Sequence, residues 1–367
     1  MDAAQRVNIL RRITCLALLS GMGVCPKLWI ADHGFPAVPV LPLPQLPNWL
    51  TLLLVTLGIG GACWGLFFGP NQSELVCICS VVILIVFDIN RFQPWVFQYL
   101  TMLTVITCAK KAPERALAIC GFVLSAVYFW SGIHKINPIF VHVVFPKLLS
   151  PFFPTVPESY LSFGWVVGCF EALSALALFW RRSRTIALAA VVITHSAILL
   201  VLGPIGLNTN AVVWPWNLAM IAMAIVIFGR NRQLNVRVTR GSWLEWAVIS
   251  IVGLLPVLNF VNRWDDYPSF ALYTGRSRQG AVVLSRDGAD RMKLRVPSIK
   301  VALEPGLEGE SRLDFDVWAE KTIGVPPYPE PRVYQKIADE VRLLSSDENA
   351  LLFISDREGR FQIFPHH

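Results

Sequence analysis

Charge is scarce in this sequence: of its 367 residues, only 16% are Asp, Glu, Lys or Arg, against about a quarter in a soluble domain. With 54% of the chain apolar, that scarcity excludes an ordinary soluble fold. Other absences narrow the chemistry. The chain contains no glycine-rich phosphate loop, HExxH, zinc-knuckle spacing or nucleophile elbow, so the motifs of common soluble enzymes are missing, and no metal site is expected. None of the eight cysteines forms a CxxC. All of them lie between Cys15 and Cys169, in or beside apolar stretches, where cysteine acts as a small hydrophobe. The region from about 264 to 367 has none, so no disulfide staples it.

What is present is a series of apolar blocks of about twenty residues, the length of a bilayer-spanning helix. Nine spans are placed at about 12–30, 49–69, 75–88, 94–109, 116–133, 160–180, 185–203, 211–228 and 243–261. Arg6, Arg11 and Arg12 precede the first run, as in a signal peptide. No small-x-small cleavage site follows, so the run reads as an uncleaved span, with a signal sequence as the alternative.

The net charge of +7 is distributed unevenly. Residues 1–263 carry 18 Lys and Arg against 8 Asp and Glu, and residues 264–367 carry 14 against 17. The basic excess therefore belongs to the apolar part and carries no expectation of nucleic acid as a partner. With the N-terminus on the cytoplasmic side, the tail and segments 71–74, 110–115, 181–184 and 230–240 together hold 13 basic residues. The opposite loops hold five: Lys27, Arg91, Lys135, Lys147 and Arg263. Basic residues favour the cytoplasmic side, so nine spans with the N-terminus inside is the expected topology.

The C-terminal region then lies outside. Its short alternating runs (FALYTG, AVVLSR, MKLRV, ALLFIS, FQIF) and one amphipathic helix, with Val333, Ile337, Val341 and Leu344 on one face, describe a small α+β domain. The proline-rich stretch 36–47 is expected to be extended. The expected fold is thus an all-α polytopic membrane bundle over 1–263, followed by a small extracytoplasmic α+β domain over 264–367, in the plasma or inner membrane.

Ionisable groups inside a bilayer cost several kcal/mol and invite a functional explanation. Asp88 and Arg91 close the third span, His134 and Lys135 close the fifth, Glu171 lies in the sixth and His195 in the seventh. Asn208, Asn210, Trp214, Trp216 and Asn217 surround the outer ends of the seventh and eighth. At about 1.5 Å per residue, His195 sits about 12 Å and Glu171 about 16 Å below the outer surface. One polar cavity opening outward accounts for these groups together. The plainer readings are a snorkelling Lys135, a hydrogen-bonded core His195, a structural Asp88–Arg91 pair and an interfacial tryptophan belt.

The segment Tyr128-Phe129-Trp130-Ser131-Gly132-Ile133-His134-Lys135-Ile136 resembles the aromatic–small–Gly–x–x–Lys segment of the vitamin K-dependent γ-carboxylase-like (HTTM) membrane family. Residues 168–187, GCFEALSALALFWRRSRTIA, are similar to the G-x-x-E span of the related DoxX/MauE group. His195 with Gly203-Pro204-Ile205-Gly206, and the run 87–100, add to the likeness, which covers about 87–220. The resemblance implies a membrane enzyme acting on a quinone or other lipophilic substrate, with Lys135 as a base toward it. The outer domain here is far smaller than the carboxylase's, so carboxylation of glutamate is not carried over.

The expected catalytic residues are accordingly Lys135, His195 and Glu171. The expected substrate- or cofactor-binding residues are His134, Asp88, Arg91, Trp130, Trp216 and Asn217. Two other readings stand beside this one: a scaffold or assembly factor whose outer domain binds a protein partner, and a small-solute transporter. The second is disfavoured by the near absence of ionisable residues in the inner halves of the spans.

Overall fold

The computed structural model describes residues 1–69, 72–229, 242–306 and 309–364. The basic segment 230–240 lies outside the described residues, as does Asn71 of segment 71–74. Among the described residues, and apart from short 3₁₀ turns, ten helices precede the sheet domain: α1 (Ala3–Val24), α2 (Asn48–Phe67), α3 (Ser73–Phe87), α4 (Pro94–Cys108), α5 (Pro113–Lys135), α6 (Phe140–Leu149), α7 (Glu158–Ala177), α8 (Arg184–Leu202), α9 (Val213–Phe228) and α10 (Trp243–Val261).

Local signals set where these helices start. Asp2 and Gln5 form a reciprocal capping box at the start of α1, and Ser242 and Glu245 do the same for α10. Pro94 and Pro113 occupy the first turns of α4 and α5, where a missing N–H costs nothing. The capping box starts α1 nine residues before the expected 12.

Among the described residues, six helices are long and apolar enough to cross a membrane: α1, α2, α5, α7, α8 and α10. The other three expected spans, α3, α4 and α9, are only 15, 15 and 16 residues long. That is about 22–24 Å of helix, short of a hydrocarbon core of about 30 Å.

α5 is the centre of the bundle. Its most apolar window is 83% buried, whereas the other five long helices are 28–44% buried. It packs against α1, α4, α7, α9 and α10. Small residues let α7 come close. A Cβ added at Gly132 would sit 2.6 Å from Ala172 N and 2.7 Å from Gly168 O.

Ion pairs and caps mark one end of the bundle. Arg6 donates to the carbonyls of Val226 and Ile227, closing the start of α1 onto the end of α9. Arg11 donates to Gly65 O and to Glu74 Oε1, between α2 and α3. Arg115 pairs with Glu245 at 2.7 Å, between the starts of α5 and α10. Helix starts and ends thus alternate at this end, as an up-and-down path requires.

The opposite end carries the α+β domain: β1 (Gly280–Leu284), α11 (Arg286–Arg295), β2 (Leu303–Pro305), β3 (Ser311–Asp314), α12 (Phe315–Thr322), α13 (Pro331–Ser345), β4 (Leu351–Ser355) and β5 (Phe361–Phe364). The sheet is antiparallel in the order β2-β3-β1-β4-β5. α13 buries Val333, Ile337 and Val341, the stripe read from the sequence, while Leu344 is only partly buried. Two alternating runs are not strands. MKLRV lies in α11 and its C-cap, a helix that Ser285 caps at its start, and FALYTG is broken by left-handed backbone at Phe270 and Tyr273.

The domain is joined to the bundle by specific contacts. Tyr328 N donates to Asn90 Oδ1 at 3.1 Å, Gln93 Nε2 donates to Pro326 O, and Phe35 packs edge-on against Trp318 at 4.8 Å. At this junction Glu330 accepts from Asp266 N and pairs with Arg278. Burial, with the negative charges of Asp265 and Asp266, outweighs that arginine and raises the Glu330 carboxyl to about 7.

Candidate functional site

Helical periodicity divides the segment 127–135 into two faces. Tyr128, Ser131 and Lys135 are spaced i, i+3, i+7 and share one side of α5, whereas Trp130 and His134 share another. The first side lines a cavity of about 420 Å³ walled by α5, α6, α7, α8 and α9 and closed by Leu272 and Tyr273. Its walls are overwhelmingly apolar and aromatic, with Phe140, Phe145 and Phe170 among them. The polar groups are few.

Lys135 is at the heart of it. Its Nζ donates to Glu171 Oε2 at 2.7 Å, to Ser131 Oγ at 2.5 Å and to Ser131 O at 3.2 Å. Both charged side chains are 8% exposed. Three acceptors match the three N–H groups of an ammonium, the geometry of an ion pair. The close approach of Gly132 to Gly168 and Ala172 is what brings α5 and α7 within this reach.

His195 occupies another wall. Its Nδ1 lies 2.6 Å from Asn217 Oδ1, and Asn217 Nδ2 donates to Val213 O at 2.6 Å. Its ring packs 5.1 Å from that of Tyr128. The Nε2 atom is buried with no protein partner. Trp216 also lines the cavity, and its Nε1 donates away from it to Gln98 Oε1 at 2.8 Å.

Of the residues singled out in the sequence, Lys135, Glu171, His195, Trp216 and Asn217 therefore meet at one cavity. The other four do not line it. His134 stacks on Phe260 of α10 with ring centroids 4.6 Å apart, and Trp130 lies on the same side of α5. Asp88 and Arg91 form a separate buried cluster under the domain. Asp88 Oδ1 accepts from Val38 N, Asn90 N and Asn90 Nδ2, and its Oδ2 lies 3.5 Å from His33 Nε2. Arg91 donates to Leu28 O and Leu84 O, each at 3.0 Å. This cluster ties the chain after α1 to the end of α3.

Two cavity residues were not among the expected site residues. Ser131 is an unremarkable serine until Lys135 folds back on it. Tyr273 comes from a region with soluble character, yet it roofs the cavity in left-handed backbone (φ 53°) and its OH accepts from Asn210 Nδ2 at 3.0 Å. No group of three or more metal-ligating side chains occurs among the described residues. No protein-family model, curated protein or solved structure matches the chain.

Proposed function

We propose that this chain is an integral membrane protein that takes up a lipophilic molecule in the cavity between α5 and α9 and exchanges a proton with it there. In this reading the protein lies in the cell membrane with the N-terminus cytoplasmic and the α+β domain outside. The single observation that supports it is the Lys135–Glu171 ion pair standing in the wall of a mostly apolar cavity. A buried pair is weak as a source of stability, because its desolvation offsets its attraction. Placed beside a cavity, it is instead a charged, proton-exchanging surface for a guest.

A quinone or a comparably lipophilic ring suits the aromatic walls. For Lys135 to act as a base it must first pass a proton to Glu171 along their 2.7 Å hydrogen bond, which leaves a neutral amine and a neutral acid in a low-dielectric site. The measurement is mass spectrometry of lipids and quinones that copurify with the wild type and with Val167→Trp, which fills the cavity. One lipophile should accompany the wild type and be depleted in the variant. Equal content in both proteins would refute the reading.

The scaffold alternative has one observation in its favour. Leu351, Phe361 and Ile363 are exposed on one face of the outer sheet, a surface suited to a protein partner.

A further inference from the structure

The cavity has an unusual wall. Phe163, Val166 and Phe170 of α7, and Ile193 and Ala197 of α8, line it, yet they also face the outside of the bundle. Val166 is 56% exposed and Ile193 63%. A side chain that is both cavity wall and outer surface leaves that wall only one side chain thick. This thin wall is formed by α7 and α8, helices whose outer faces are apolar. For membrane-crossing helices, that face meets hydrocarbon and not water.

The polar groups inside specify what enters. Asn217 Nδ2 is committed to Val213 O, so the amide oxygen faces His195 Nδ1; an oxygen there accepts, which places the ring proton on Nδ1. Nε2 of the neutral ring is then a lone pair, buried and without a donor. Lys135 has its three N–H groups engaged. His195 Nε2 therefore lacks a donor, and leaving a buried acceptor unmet is unfavourable.

We propose that the cavity is loaded sideways from the bilayer, between α7 and α8, by a tailed amphiphile whose hydroxyl donates to His195 Nε2. The hydrocarbon tail remains in the gap between Phe170 and Ile193, partly in lipid. This rests on the cavity being a lipophile site and names the class of guest: a membrane-resident alcohol or phenol with one long chain.

The test uses the full-length chain and native mass spectrometry from detergent, with three probes: 4-dodecylphenol, its methyl ether and the tail-less 4-methylphenol. One 4-dodecylphenol should be retained per chain. The ether lacks the donor and should bind at least about tenfold more weakly, as expected for one buried hydrogen bond. 4-Methylphenol should also be at least about tenfold weaker, because it lacks the tail's apolar contact. Ile193→Trp, at an exposed position, should weaken both dodecyl probes and leave 4-methylphenol unchanged. His195→Phe should bind phenol and ether equally.

Ether binding as tight as phenol in the wild type, or a preference for phenol that persists in His195→Phe, overturns the hydroxyl–His195 contact. Equal binding of 4-methylphenol overturns the sideways, tail-dependent access. Retention of no probe at all overturns the lipophile site itself, so the two failures are distinct. The wild-type comparison of phenol with ether decides the matter even if His195→Phe does not fold.

Discussion

Lys135 and Glu171 are each other's principal charged partner, and both are 8% exposed. Removing one leaves the other charged, buried and unpaired. Lys135→Met should therefore cost about 3–5 kcal/mol of stability, whereas Lys135→Met with Glu171→Leu should recover most of it. Reversible unfolding in mixed micelles measures both. If the single and double variants lose the same amount, the pair is not coupled. A charged residue within an apolar run is visible in sequence, which is why Lys135, Glu171 and His195 were legible as site residues. Their partners were not. Glu171 is 36 positions from Lys135, and Asn217 is 22 from His195, so the pairings exist only once the helices are packed.

The pairing in turn depends on how α5 and α7 cross. Gly132 of α5 touches the backbone of α7 at Gly168 and Ala172, where an added Cβ would sit 2.6–2.7 Å from main-chain atoms. Backbone cannot rotate away as a side chain can. Gly132→Ala should push the two helices apart, destabilise the bundle by about 1–3 kcal/mol or more, and lengthen the Lys135–Glu171 bond. Unfolding measurements together with a cross-link between cysteines placed on α5 and α7 would show both effects; wild-type stability and cross-linking yield would contradict this account of the crossing. At the level of elements, apolar run length gave the positions of the helices but not which could span. α3 and α4 stop short at the Asp88–Gln93 turn, where Asp88 caps a short helical turn and Arg91 is bonded to carbonyls of neighbouring segments.

For the whole molecule, the alternation of ends gives the orientation proposal its support. Arg6, Arg11 and Arg115 lie at one end, and the α+β domain packs on the other. With basic ends on the cytoplasmic side, a reporter that works only outside the cytoplasm should be active when fused after His367 and silent when inserted in segment 230–240. The reverse pattern would invert the orientation and place the cavity at the cytoplasmic side.

Composition and apolar run length alone determined that the chain is a helical bundle rich enough in hydrocarbon to cross a membrane, because burial of apolar surface is set by residue type. The alternating runs and α13's stripe likewise determined a small α+β domain near the C-terminus. Tertiary structure decided the site. Helix rotation separated His134 and Trp130 from Lys135, three-dimensional packing took Asp88 and Arg91 into a structural cluster, and the folded domain brought Tyr273 over the cavity. Those outcomes depend on which faces of distant helices meet, and a one-dimensional pattern records the face of each helix without recording its neighbour.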